Sequence, residues 1–219
     1  MHSVSTRDWF SRGGALGAAS GVVLAAVLIH LSPVAGELLQ YERAAIANGQ
    51  IWRIVTCHLT HWSPDHLFWD VAVFACLAAV CLAESRRATW ICLAVSAAAI
   101  PAAVWVLMPD MPTYRGLSGL DSALFALLTA MLIRRGAAGG NWRPAAVAGG
   151  LAAAFVGKTL FELLTGSTMF VDSGTALMVP VPLAHIIGAM VGGAAGMPAS
   201  PGRANRLTPD DSPYMNNPG

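Results

Sequence analysis

The sequence predicts an all-α, polytopic membrane protein of six transmembrane helices. Hydrophobic residues make up 55% of its 219 positions and charged residues 11%, against roughly a quarter charged in a soluble globular domain. Apolar runs of bilayer-crossing length also recur along the chain, since a hydrocarbon core about 30 Å thick takes roughly 20 apolar residues per helix. Bounded by charge, Pro or Gly, these runs fall near 13–31, 66–83, 88–108, 117–133, 145–164 and 180–197. They define one membrane domain, 13–197, between a short N-terminal segment, 1–12, and a tail, 198–219, whose Pro, Asn and Asp content predicts disorder.

Taken in order, the first run follows Arg7 and Arg12 and superficially resembles a secretory signal, but it spans 19 residues, longer than a usual signal core, and reads as a retained helix. The connection 32–65 carries Tyr41, Trp52, Trp62 and mixed charge, a composition suited to the membrane interface. Cys76, Cys81 and Cys92 fall inside spans and Cys57 beside one, with no CxxC pair, so neither a disulfide framework nor a zinc site is expected. Net charge is near zero and the basic residues form no stripe, which excludes a nucleic-acid partner; the partner is the lipid bilayer.

The basic residues report topology instead. Arg7, Arg12, Arg86, Arg87, Arg134, Arg135, Arg143, Arg203 and Arg206 fall in connections on one side, whereas Arg43, Arg53 and Arg115 fall on the other and Lys158 lies within a span. The positive-inside rule then places both termini in the cytoplasm. On that assignment His58, His61 and His66 at the start of the second span, Ser118 at the start of the fourth and His185 early in the sixth all reach the outer face. An ionisable residue below the membrane surface, as His185 is predicted to be, is a functional candidate by default.

Ser118 sits in Gly116-Leu117-Ser118-Gly119, where flanking glycines permit a tight turn and leave the hydroxyl uncovered. Unsatisfied N–H groups at a helix start can stabilise the oxyanion of a tetrahedral intermediate, so nucleophile and donors come from one turn. A base must come within about 3 Å of the serine. Small residues allow this: Gly188, Gly192 and Gly196 recur every four positions in the sixth span, opposite Gly119, Ser122, Ala123 and Ala126 in the fourth. Taken singly, a GxSG string or four-spaced glycines mean only helix packing, and a lone intramembrane His is as often a ligand or proton relay as a base.

Together these residues match a pattern. Trp52-Arg53 followed by Thr56, His61 and His66 five apart, Gly116-Leu117-Ser118-Gly119, and Ala184-His185 with Gly188 and Gly192 resemble the rhomboid intramembrane serine proteases over essentially all six spans. Within them the chain is most similar to the rhombosortases, on Tyr114-Arg115 before Gly116, compact length and short loops. The resemblance implies that Ser118 is the nucleophile and His185 the general base of a dyad. It implies an oxyanion hole from His66 and the backbone at Leu117 and Ser118, with Asp70 at the remaining position. It also implies no cofactor or metal, and a cleft beside the fifth span through which substrate enters sideways. The substrate class implied is an exported, membrane-anchored protein with a C-terminal Gly-Gly motif, apolar span and basic end, cut near the periplasmic face of a bacterial inner membrane.

Two positions depart from that family. Asp70 stands where an Asn usually donates to the oxyanion, and an ionised carboxylate there would repel the developing charge; protonation would keep it a donor, and rotation away would let it orient His66. Ser122 stands where a Tyr commonly stacks on the histidine, so the imidazole is held by something else. Asp121 reads as an interhelical hydrogen-bonding residue, Lys158 and Glu162 as a neutralising helical pair, and His30, His58 and His61 as solvated or structural. Two other readings remain: an inactive relative that binds membrane helices, and a haem or quinone protein using His66 and His185 as axial ligands.

Overall fold

The computed structural model describes residues 6–166 and 181–197, with side chains from Gly17 onward. The tail 198–219, residues 1–5 and the connection 167–180 lie outside the described residues. The described residues are helical almost throughout: α1 (Thr6–His30), α2 (Pro33–Leu39), α3 (Arg43–Ala47), α4 (Arg53–Thr56), a 3₁₀ segment (Cys57–Leu59), α5 (Pro64–Glu84), α6 (Arg86–Leu107), α7 (Ser118–Gly139), α8 (Trp142–Thr165) and α9 (Pro182–Gly196). Two short strands, β1 (Tyr41–Glu42) and β2 (Thr113–Tyr114), pair antiparallel with Tyr41 opposite Tyr114.

Each predicted span coincides with a helix. Among the described residues, α5, α6, α7 and α8 are long and apolar enough to cross a membrane, and the pair Gly17–His30 and Pro33–Leu39, bent by 115°, makes a fifth candidate. Helix α9 is apolar but only 15 residues long. The fourth predicted span ended at 133, yet α7 continues to Gly139. Arg134 and Arg135 end the apolar run without ending the helix, which stops where Gly140 adopts a left-handed φ of 60°.

Local chemistry sets the other ends. Ser63 and Ser85 accept the His66 and Ala88 N–H groups at the starts of α5 and α6, and Pro64 opens α5 without needing a donor. Pro101 lies inside α6, where it cannot donate to the Ala97 carbonyl. His58 Nε2 lies 3.1 Å from that carbonyl oxygen and Nδ1 3.3 Å from Gly116 O, so the ring bridges the carbonyl that the proline leaves free and the turn before α7.

The connection 32–65 is more ordered than an interfacial loop. Arg53, which is buried, donates through Nη1 to the Glu37 and Gln40 carbonyls at 2.7 and 3.0 Å and through Nε to Gln50 Oε1 at 2.8 Å. Thr56 Oγ1 donates to Leu39 O at 2.7 Å. These bonds clip α4 to the end of α2 and satisfy carbonyls that a helix end leaves free. Trp52 remains half exposed, in keeping with an interfacial aromatic. Arg43 similarly gathers the carbonyls of Val104, Trp105 and Met108 at the end of α6.

Helices α7 and α9 form the core contact. A Cβ at Gly188 would collide with Gly119 O, and one at Gly192 with Ala123 O, so here side chains are replaced by backbone packed on backbone. Near the opposite end Arg134 Nη1 donates to Gly196 O at 2.9 Å, and Arg135 Nη1 meets Glu84 Oε1 at 2.7 Å. One end of the bundle therefore carries Arg134 and Arg135; the other carries the starts of α5, α7 and α9 and the end of α8.

Candidate active site

At that second end, the turn into α7 is held from below and behind. Gly116 has φ of 120°, a conformation that only glycine adopts without strain, and a Cβ there would lie 2.8 Å from His66 Nε2. Its N–H donates to Cys57 O at 3.2 Å. Arg115 points away from the turn and links Glu37, Gln40 and the Trp62 ring face. The turn thus follows from a glycine, a short 3₁₀ segment behind it and an arginine anchored in the 32–65 connection.

The next residues expose the first N–H groups of α7, and Asp70 of α5 takes them. Its Oδ2 accepts from Leu117 N at 2.8 Å and Ser118 N at 3.1 Å. The same oxygen lies 3.2 Å from His61 Nε2 and 3.2 Å from His66 Nε2. Four nitrogens therefore converge on one carboxylate oxygen beside Ser118. His66 Nδ1 accepts the Trp62 N–H at 3.4 Å, which leaves Nε2 as its protonated nitrogen and a donor. Asp70, for its part, is an acceptor here rather than the donor its Asn-like position suggested.

Helix packing sets the second half of the site. A Cβ on Gly119 would lie 3.3 Å from Ala184 O and 2.8 Å from Ile100 Cδ1, so Ser118 and His185 each adjoin a direct backbone contact between α7 and α9. His185 is buried, and its Nδ1 lies 3.0 Å from Glu162 Oε2 of α8. The two atoms are not aligned as an ideal hydrogen bond, and neither has another partner among the described residues. Glu162 Oε1 accepts from Lys158 Nζ at 2.7 Å.

The sequence pattern paired Lys158 with Glu162 and stopped there; the contact of Glu162 with His185 crosses from one helix to another, and no spacing in the chain marks it. Ser122 Oγ donates to Ser118 O at 2.9 Å, so it braces the helix and does not cover the imidazole. Asp121 is buried, but its Oδ1 makes no hydrogen bond among the described residues, neither to a neighbouring helix nor to His185. His58 and His61 are buried beneath the turn and so are structural rather than solvated. Helix α8 is the least embedded of the long helices, with only Ala148, Thr159 and Glu162 buried.

A multi-pass helical membrane protein with a serine, histidines and carboxylates collected at one end of its bundle is the class this architecture defines. Residues 48–201 match the Rhomboid domain, and the chain belongs to that family, whose members are in general intramembrane serine proteases. Comparison with curated proteins gives no match.

Proposed function

We propose that this chain is an intramembrane serine endopeptidase that crosses a bacterial inner membrane six times and cleaves membrane-anchored proteins near the periplasmic face. Ser118 is the nucleophile and His185 the general base. Ser118 Oγ attacks the scissile carbonyl carbon as its proton passes to His185; the imidazolium then protonates the leaving amine, and water deprotonated by His185 releases the acyl group. The Leu117 and Ser118 N–H groups and His66 Nε2 receive the oxyanion.

The observation that carries this reading is the convergence of those donors on a single anionic oxygen, Asp70 Oδ2, beside Ser118. A site that binds a carboxylate oxygen on two helix-start amides and an imidazole is built to bind the oxygen of a tetrahedral intermediate, and Asp70 must rotate away when one forms. Helix α8, weakly embedded next to His185, is the side from which a substrate helix enters. The rhombosortase features, Tyr114-Arg115 before Gly116 above all, make a Gly-Gly, apolar-span, basic-end tail the substrate class.

A second reading is favoured by the same oxygen. If Asp70 never leaves the donors, the chain is an inactive member that binds membrane helices. Reconstitution in lipid with a model protein bearing such a tail separates the two: wild type cuts, and Ser118→Ala and His185→Ala lose nearly all activity while staying folded. Cleavage of a generic rhomboid substrate but not this tail would keep the chemistry and discard the substrate class. No Ser118-dependent cleavage of either leaves the helix-binding reading.

A further inference from the structure

We infer that Glu162 is a positioning residue for His185, so that the reacting set is Ser118, His185 and Glu162 rather than a dyad. The inference rests on the protease reading above and deepens it. Three observations on α8 and α9 lead to it.

First, the buried member of the Lys158–Glu162 pair is the acid. Glu162 is 2% exposed and the Lys158 side chain 28%. Neutralising a lysine on an outward helix does not require the carboxylate to turn inward, and burying it in an apolar bundle is costly without a partner there. Second, the two carboxylate oxygens face different groups: Oε1 takes Lys158 Nζ at 2.7 Å, while Oε2 lies 3.0 Å from His185 Nδ1. Both Oε2 and Nδ1 are buried and otherwise without a hydrogen-bond partner among the described residues, so each is the group the other lacks. Third, the carboxylate addresses Nδ1 and leaves Nε2 for the serine, which is the division of labour by which an acid fixes the tautomer and steadies the imidazolium that forms during attack. No aromatic ring performs this task from α7, since Ser122 is turned to its own helix backbone.

The charges around this contact are few. Helix α9 contributes only His185; α8 contributes Lys158, which holds the far oxygen of Glu162; and α7 contributes Asp121, within electrostatic reach of Lys158. Asp70 of α5 is engaged with the Leu117 and Ser118 amides. During acylation the Ser118 proton moves to His185 Nε2 and on to the leaving amine. Glu162 neither gains nor loses a proton; it accepts the Nδ1–H throughout.

The test uses the full chain in lipid as wild type, Glu162→Gln and Glu162→Asp, read in two ways. Nitrogen-15 NMR of labelled histidine follows the His185 imidazole through its titration, and a fluorophosphonate probe reports, against pH, the rate at which Ser118 is phosphonylated with loss of fluoride. Removing the carboxylate charge is expected to move the imidazole titration curve to lower pH, because the imidazolium loses the anion beside it. Labelling should slow about a hundredfold, its rise with pH should move the same way, and Glu162→Asp should recover part of the rate. An unchanged imidazole titration in Glu162→Gln, with labelling still Ser118-dependent, overturns the role of Glu162 and leaves the protease reading standing. A slower rate in both variants with no movement of either pH curve also overturns it, because loss of packing alone does that. Absence of probe labelling in wild type overturns the protease reading and this role with it.

Discussion

Asp70 Oδ2 accepts the Leu117 N–H at 2.8 Å across the gap between α5 and α7, so the acid of one helix caps the start of another. The cap has two effects: it orders the turn that carries Ser118, and it occupies the donors that the proposed reading assigns to the oxyanion. On the proposed mechanism, stability and turnover therefore pull in opposite directions at this one atom.

Replacing Asp70 with Asn separates the two effects. The amide oxygen still accepts from Leu117, but the loss of charge weakens the cap by about 1 kcal/mol. Thermal unfolding in detergent should show that loss, while kcat in lipid rises several-fold because a neutral group competes less for the donors. A tenfold fall in kcat with the fold intact would show that the carboxylate is needed where it is.

The α7–α9 seam makes a sharper contrast between neighbouring glycines. A Cβ at Gly192 would strike the Ala123 carbonyl, whereas one at Gly193 meets nothing within 4 Å. Gly192→Ala should cost about 3 kcal/mol or more by forcing the helices apart. Gly193→Ala should be neutral or stabilising by up to about 1 kcal/mol through helix propensity. Similar melting temperatures for the two variants would contradict the backbone-on-backbone packing.

Arg53 is expected to resist its conservative replacement. Its guanidinium serves two carbonyls and the Gln50 side chain at once, and a lysine ammonium cannot span that fork. Arg53→Lys should lose about 2 kcal/mol in chemical denaturation. Limited proteolysis of the 32–65 segment should quicken while cleavage chemistry is retained in the folded fraction.

Stability should also fall in acid. Burial pushes the His58 pKa down despite its two carbonyl neighbours, and burial likewise lowers His61 despite Asp70. The unfolded chain then binds protons that the folded chain refuses, beginning near the ordinary histidine value of about 6.5. Stability is full above that pH and declines below it, each histidine contributing at most about 1.4 kcal/mol per pH unit. Melting temperatures from pH 7.5 to 5.5, approximate set points for the experiment, should show this slope, and His58→Gln should reduce it. A flat profile would mean that His58 is charged in the fold.

The long helices were legible because bilayer thickness is a length that composition must meet: α5, α6, α7 and α8 each follow an apolar run. Boundaries were legible where a cap residue stood, as at Ser63 and Ser85, and misjudged where charge was mistaken for an end, as at Arg134. Ser118, His185 and the glycines of α9 were visible as local patterns. The order in the 32–65 connection was not, because Arg53 and Arg43 act there through backbone carbonyls, which every residue possesses and no sequence distinguishes.

By itself the sequence determined the solvent, the succession of helices and the residues proposed as nucleophile and base. Tertiary structure alone decided that Asp70 accepts from the Leu117 and Ser118 amides, that His58 serves the carbonyl freed by Pro101, and that Glu162 faces His185 as well as Lys158. Each of these contacts joins different helices or the loops between them. They depend on how far each helix is turned about its axis and how deep it sits, and between α7 and α9 the close seating of Gly188 and Gly192 sets both.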